Sequence, residues 1–328
     1  MKLRALGCAV AAGAAVVTAP AAASAAAACT WTPSALGLPA GASDGGITAT
    51  DHQGGYAGTA AFSDGAHVVT WKNGKVTDLG SRVSYGSASA VLGENRAGTV
   101  VGYATAAGFP TPTHAYAFRS AGTRLEALPE LPNTWLASAQ GIDDKGNIFG
   151  VNAVQGAGGG SYTVEWPADQ PGQVVKLAGI PAAKNALQVD HDGSLLLSGE
   201  GGPWIWRDGK ATPLAKVPGA TSATGSAISN GRVAGTATIG GASVGVLWNP
   251  DGSVVKLPKS TGAYHLNSAG LTAGVNSDDT EALWRLGQFD HTFPGSRFDT
   301  FVEVVSDDGT VAGKHGGDKL QPTVWRCR

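Results

Sequence analysis

Apolar residues in this chain come in short runs, cut off by Gly, Asn, Asp and Pro before a helical period can build over three turns. Residues 223–260 show the pattern most plainly. Residues 225–229 form a small-residue strand, Asn230-Gly231 a two-residue hairpin turn, and residues 232–238 a second strand. A Gly-rich loop at 239–243 leads to an apolar strand at 244–248. The turn Asn249-Pro250-Asp251-Gly252 then leads to a fourth strand at 254–257, stopped by Pro258. Four short antiparallel strands with turns every 8 to 10 residues make one propeller blade.

The unit recurs. A turn residue followed by two spaced glycines appears at Asp51, Gly54 and Gly58, at Asn95, Gly98 and Gly102, and at Asp143, Gly146 and Gly150. It returns at Asn230, Gly231 and Gly235, at Asn267, Gly270 and Gly274, and at Asp307, Gly309 and Gly313. A further copy at Asp190, Gly193 and Gly199 carries two extra residues. Behind each comes an apolar stretch ending in an aromatic: Trp71, Phe118, Trp166, Trp206, Trp248, Trp284 and Trp325. Repeats of this kind stack or close radially. The first glycine suits a tight turn and the second a close backbone approach near the axis. The tryptophans suit packing between blades.

Most units end in Leu or Leu-Pro, but the last stops at Trp325, and the missing piece stands at the other end of the chain as Leu36-Gly37-Leu38-Pro39. The expectation is an all-β, seven-bladed β-propeller of four-stranded antiparallel blades, closed by the N-terminal strand completing the last blade. Six or eight blades are the fallback. Closure removes exposed sheet edges.

Lys2 and Arg4, an Ala-rich apolar run and an Ala-x-Ala exit read as a secretory signal peptide over residues 1–28, leaving one domain at 29–328. A lipid anchor on Cys29 would want Leu where Ala26 stands. Losing the two leader cations takes the formal net charge from −2 to −4, with no basic patch for nucleic acid or an anionic membrane, and no later stretch is long and apolar enough to span a bilayer. Of three cysteines, Cys8 leaves with the leader. Cys29 and Cys327 stand at the two ends of the mature chain, where an exported protein is expected to join them as a disulfide.

The stretches Thr113-His114-Ala115-Tyr116-Ala117-Phe118 and Ala66-His67-Val68-Val69-Thr70-Trp71, with the turn-and-glycine units, resemble the HAF-type repeats of bacterial extracellular proteins. The leader is similar to those of actinobacterial exported proteins. The resemblance implies secretion and a repeat β fold, and implies no reaction.

The candidate chemistry is sparse. Asp51-His52, Asp190-His191 and Asp290-His291 read as turn or strand residues in three different units, without metal-ligand spacing. Asp190-His191-Asp192-Gly193, Asp143-Asp144-Lys145-Gly146 and Asp307-Asp308-Gly309 are fragments of a calcium loop, and Glu200 misses the closing position. No cofactor is expected, calcium being the one ion these fragments suggest. Gly241-Ala242-Ser243-Val244-Gly245 matches a nucleophile elbow in letters, but it joins two strands with no helix to follow. The glycines at 156–160 lack the Lys-Ser/Thr of a phosphate loop.

The better-founded argument concerns the loop face, where Phe109, Trp135, Tyr264, Asp278, Asp279 and His315 are the candidate binding residues, with Glu281 and Asp318 nearby. The leading reading is a secreted, non-enzymatic binding or scaffold protein for an extracellular protein partner or surface glycan, monomeric outside any extracellular assembly of which it is a component. The alternative is a carbohydrate-active lyase or hydrolase using the central channel. Three or more ionisable groups meeting at one point of that channel would reverse the order.

Overall fold

The computed structural model describes residues 30–81, 88–105, 114–156, 159–296, 298–317 and 319–328. Cys29, Phe109 and Asp318 fall outside them, as does the expected leader at residues 1–28. The described residues form 28 strands, and no helix among them is long and apolar enough to cross a membrane.

The chain enters as β1 (Trp31–Ala35) and then builds antiparallel meanders. The first is β2 (Asp44–Thr50), β3 (Tyr56–Phe62), β4 (Gly65–Lys72) and β5 (Lys75–Gly80). Next come β6 (Ala88–Glu94), β7 (Val100–Thr105), β8 (Ala115–Ala121) and β9 (Arg124–Ala127), followed by β10 (Thr134–Ile142), β11 (Ile148–Val154), β12 (Gly160–Trp166) and β13 (Val175–Lys176). After these stand β14 (Lys184–Val189), β15 (Leu195–Gly199), β16 (Trp204–Arg207) and β17 (Lys210–Pro213), then β18 (Ala220–Ser229), β19 (Arg232–Ile239), β20 (Ala242–Trp248) and β21 (Val254–Lys256). The chain ends with β22 (Ser260–Leu266), β23 (Leu271–Asn276), β24 (Glu281–Arg285) and β25 (Gln288–Thr292), then β26 (Thr300–Val305), β27 (Val311–His315) and β28 (Gln321–Cys327). The first strands β2, β6, β10, β14, β18, β22 and β26 touch in succession, and β26 touches β2, so the ring closes around an axis.

The expected seven separate four-stranded blades are not found. Five sheets are four-stranded blades, and β6 to β13 form a single eight-stranded sheet. The physical reason is a parallel pairing of β10 with β8 at Leu136 and Ala115, which carries the backbone ladder across a boundary that the repeat count treats as a break. A sequence period counts units and says nothing about hydrogen bonds between them.

At the seam, β1 pairs antiparallel with β28, Trp31 opposite Cys327 and Ala35 opposite Thr323, giving the sheet order β1-β28-β27-β26. The strand lies at 31–35, ahead of the expected Leu36–Pro39 stretch. Leu36 and Leu38 instead pack on the core cluster of Ile47, Tyr56, Val69 and Trp71. Thr30 and Arg328 exchange backbone hydrogen bonds of 2.9 and 3.1 Å, so the described chain ends are neighbours.

The second glycines have a direct cause. A Cβ on Gly58 would lie 1.9 Å from the Gly46 carbonyl oxygen, and on Gly313 1.9 Å from that of Phe301, where a bulge swings the first strand inward. The fourth unit departs from the expected pattern. There the register partner of Ala186 is Leu197, in the slot that Gly58 fills opposite Ile47, and Gly199 lies two residues beyond it.

The tryptophans that recur in the repeat are buried, and five of them make one repeated bond. The indole N–H of Trp71 donates to the Gly37 carbonyl, Trp166 to Pro129, Trp206 to Ala178, Trp248 to Ala215 and Trp284 to Pro258, at 2.7–2.9 Å. Each ties its strand to the segment that opens its own unit, so a large apolar side chain is buried with its one donor satisfied.

Candidate axial site

Each hairpin from first to second strand ends at the same face of the ring. In five of them the first turn residue accepts and donates in a fixed way: the Asn95 N–H bonds the Thr99 carbonyl and the Gly98 N–H bonds the Asn95 carbonyl, and Asp143, Asp190 and Asn267 repeat the pair. Ser306, not Asp307, makes these bonds in the last unit, to Thr310 and Gly309. The Asp307 turn was therefore read one residue out of register from sequence. The correction matters, because it puts Asp307 in the same column of the repeat as His52, Arg96, Asp144, His191 and Ser268, the residue just after the turn opens.

Five of those six side chains meet. The rings of His52 and His191 stand edge to face with centroids 4.4 Å apart. His191 Nε2 lies 3.4 Å from Asp307 Oδ2, and His52 Nδ1 lies 3.8 Å from Asp307 Oδ1. His191 Nδ1 faces Asp144 Oδ1 at 3.9 Å. Arg96 bridges the carboxylates, Nη1 at 2.5 Å from Asp144 and Nη2 at 3.2 Å from Asp307. Ser268 contributes its backbone N–H, which Asp307 Oδ1 accepts at 2.8 Å.

The turns are clipped to one another. The two carboxylate oxygens of Asp190 accept the N–H groups of Asn230 and Gly231 at 3.0 Å each. Asn95 donates to the Asp143 carbonyl, and Asn267 to that of Ser306. Asp51 holds its own turn by accepting from Gln53 and Gly55, and pairs with Lys72 at 3.0 Å. Such fixed backbone placement preorganises the side chains that project from it.

The electrostatics follow from burial and neighbours. Burial, with His191 and Arg96 close by, pushes the His52 imidazole down to about 4, so it is neutral near pH 7. His191 moves the other way, raised by its hydrogen bond to Asp307 against burial. Burial would raise Asp307, but the hydrogen bonds from His191 and Ser268 hold it well below the usual carboxylate range. His52 Nδ1 is buried and has no hydrogen-bond partner.

The cluster opens onto a cavity of about 430 Å3 along the axis, walled by the first strands and including His52 and His191. Glu94, Gln140, Gln188, His265 and Glu303 also reach it. Burial, reinforced by the nearby Asp51 charge, pushes Glu94 up to about 8, and Glu94 Oε2 lacks a partner. Burial likewise raises Glu303 and lowers His265 to about 4. Two imidazoles and a carboxylate, with ligand atoms all within 4.8 Å of one another, are a donor set that can hold a metal ion.

Sequence reasoning missed this site by keeping the Asp-His pairs in separate units. Two of the three pairs deliver a histidine to the axis. The third does not: His291 lies on β25 against Trp31 and Phe293, and Asp290 faces Arg285 at 3.5 Å. The calcium-loop carboxylates are engaged by donors, with Asp192 taking the Ser194 N–H and pairing with Arg207. Ser243 lies on β20, and β21 follows after a turn.

The candidate binding residues that are described sit toward the opposite end of the ring. Trp135, 42% exposed on β10, lines a cleft of about 390 Å3 with Tyr103, His114 and Leu136. Gln140 lines both this cleft and the axial cavity. Tyr264 is exposed on β22. Asp278 and Asp279 form the turn between β23 and β24, and His315, at the end of β27, bonds Thr300 at 2.9 Å. These residues do not join the axial cluster.

No family model matches the chain, so the resemblance to HAF-type repeats stands without one, and no curated protein matches it. Solved structures do match in fold. An oligogalacturonate lyase from Vibrio parahaemolyticus is 9% identical, with a TM-score of 0.58 over 90% of this chain and 97% of that one. An oligogalacturonate lyase in complex with manganese is 11% identical, with a TM-score of 0.57 over 92% and 96%. Virginiamycin B lyase from Staphylococcus aureus is 14% identical, with a TM-score of 0.51 over 90% and 99%. The chain has a β-propeller fold.

Proposed function

We propose that the protein is an exported carbohydrate-active enzyme of lyase or hydrolase type, with its reacting centre at the axial cluster. The observation that carries this reading is the meeting of His52, His191 and Asp307 at the end of the axial cavity. Ionisable groups with displaced proton affinities, converging beside a cavity, are the common mark of a reacting site. That convergence puts the enzyme ahead of the pure binding module that the sequence favours.

The roles follow from the chemistry. His52, His191 and Asp307 engage the polar atoms of the unit being cleaved. Glu94, held protonated near neutrality, is the proton donor on the cavity wall. Trp135 and Tyr264 offer exposed rings for stacking sugar faces toward the other end of the channel, and Gln140 links the Trp135 cleft to the cavity. Three neighbours with lyase in their names share the fold, which makes propeller-borne chemistry familiar without assigning it to this chain. The Lys2/Arg4 leader supports export, and the paired chain ends support a Cys29–Cys327 disulfide.

The test is turnover by the purified protein on polyuronates and neutral polysaccharides, read as new reducing ends and as the ultraviolet absorbance of unsaturated products. His191→Ala and Asp307→Asn should abolish it, and Trp135→Ala should raise KM. A polysaccharide bound tightly and never cleaved would restore the binding-module reading.

A further inference from the structure

We propose that His52 Nδ1, His191 Nε2 and the Asp307 carboxylate bind one divalent first-row transition-metal ion at the propeller axis. The inference takes the axial cluster as the functional centre, but it does not depend on turnover.

Four observations carry it. First, the donor set is right: two imidazole nitrogens and one carboxylate suit zinc, manganese or iron(II), whereas calcium wants six or more oxygens. Second, the spacing is close to what an ion needs. A tetrahedral ion with legs of about 2.0–2.2 Å sets its ligand atoms about 3.4 Å apart. His191 Nε2 already stands 3.4 Å from Asp307 Oδ2, and His52 Nδ1 is 3.8 Å from Asp307 Oδ1. All three ligand atoms lie within 4.8 Å of one another, so the set draws in when an ion binds.

Third, His52 Nδ1 is a buried nitrogen with no hydrogen-bond partner in a polar cluster. A buried unsatisfied nitrogen is costly to keep, and a cation would satisfy it. Fourth, an outer layer of support is in place. Asp307 Oδ1 is held by the Ser268 N–H at 2.8 Å, and His191 Nδ1 faces Asp144 Oδ1 while its Nε2 faces the site, the carboxylate–imidazole–metal arrangement that orients a ligand ring. Three protein ligands would leave coordination positions free on the cavity side for water or a substrate oxygen.

Arg96 is the feature that must yield. Its guanidinium spans Asp144 and Asp307, where it neutralises the carboxylates between which the ion would sit. Its side chain is 43% exposed, so it can swing to solvent when an ion arrives. Arg96 thus competes with the metal, and its removal should favour binding.

The experiment is calorimetric titration of chelator-treated protein with zinc chloride and, separately, manganese chloride, with metal content checked by mass spectrometry after desalting. One equivalent is expected for at least one of the two ions, and none for calcium chloride. His52→Ala and His191→Ala should each weaken binding by about 10–100-fold or more, and His291→Ala should leave it unchanged. Arg96→Ala should tighten binding by removing a competing cation, a gain that a misfolded variant cannot mimic. No stoichiometric zinc or manganese uptake by the wild-type protein, or uptake that survives both histidine substitutions, would overturn the site. Metal uptake without turnover would leave the site standing and sink the enzyme reading. Turnover with no metal uptake would do the reverse.

Discussion

His52 and His191 come from distant hairpins and meet edge to face at the axis, ring centroids 4.4 Å apart. Neither is drawn there by its own strand's packing. Each follows a buried aspartate, Asp51 or Asp190, whose carboxylate is spent on backbone N–H groups and fixes where the next side chain points.

Asp190 is therefore the place where the ring of turns is most exposed to damage. It is 3% exposed and accepts three N–H groups, two of them from the following hairpin. Asp190→Ala leaves those donors without their partner, at a cost of about 2–4 kcal/mol. Urea unfolding should show a lower midpoint. Asp190→Asn, which keeps one carbonyl oxygen, should recover part of the loss. An unchanged midpoint for the alanine variant would mean that water replaces the carboxylate without penalty.

A second prediction concerns packing at the backbone. A Cβ at Gly58 would sit 1.9 Å from the Gly46 carbonyl oxygen, and its nearest neighbours are all main-chain atoms of Gly46 and Ile47. Main chain cannot move aside as a flexible side chain can. Gly58→Ala should cost about 3 kcal/mol or more and lower the melting temperature sharply. Gly74→Ala is the contrast: nothing lies near its Cβ, and its cost should come only from a positive φ of 74°. Equal losses for both would refute the close-approach account.

Much of this was legible in sequence. The four-strand unit, the turn glycines and the recurring tryptophans all follow from local chemistry. What was not legible is lateral: the Leu136–Ala115 pairing that merges two repeats into one sheet involves ordinary apolar residues with no turn signal. The axial cluster was one alignment step away. Reading Ser306 as the turn residue puts Asp307 in one column with His52, Arg96, Asp144, His191 and Ser268, and five ionisable residues in one column of a propeller's inner hairpins mark the axis. The pattern Asp-Asp-Gly pulled the register onto Asp307, because Asp is the commoner turn opener.

A disulfide at the seam makes a third prediction. Thr30 and Arg328 exchange backbone hydrogen bonds and Trp31 stands opposite Cys327, and this meeting of the described chain ends is what motivates the proposed Cys29–Cys327 bridge. Non-reducing peptide mapping of the protein expressed with residues 1–28 in an exporting host should recover that cross-linked pair. Because the bridge closes nearly the whole chain, Cys327→Ser should lower stability by up to about 5 kcal/mol on the chain-entropy account. Free thiols at both positions in protein recovered from such a host would end the proposal.

Glu94 makes the last prediction, through pH. Its carboxyl is buried on the cavity wall, with Asp51 nearby and only Lys72 to offset them, so the folded-state value rises from 4.5 to about 8. The sign follows from proton counting. Between about pH 4.5 and 8 the folded chain keeps a proton at Glu94 that the unfolded chain has released, so stability falls as pH rises through that window. The contribution is whole below the unfolded value and is gone once pH passes the folded one. Glu94→Gln removes the titration while keeping shape and polarity. Urea unfolding at a series of pH values should then show a flatter profile for the variant, with the two proteins diverging most near pH 8 and the variant the more stable there. Parallel profiles would mean that Glu94 titrates as an ordinary carboxylate, and it would then be ionised at neutrality and unable to donate a proton in the channel.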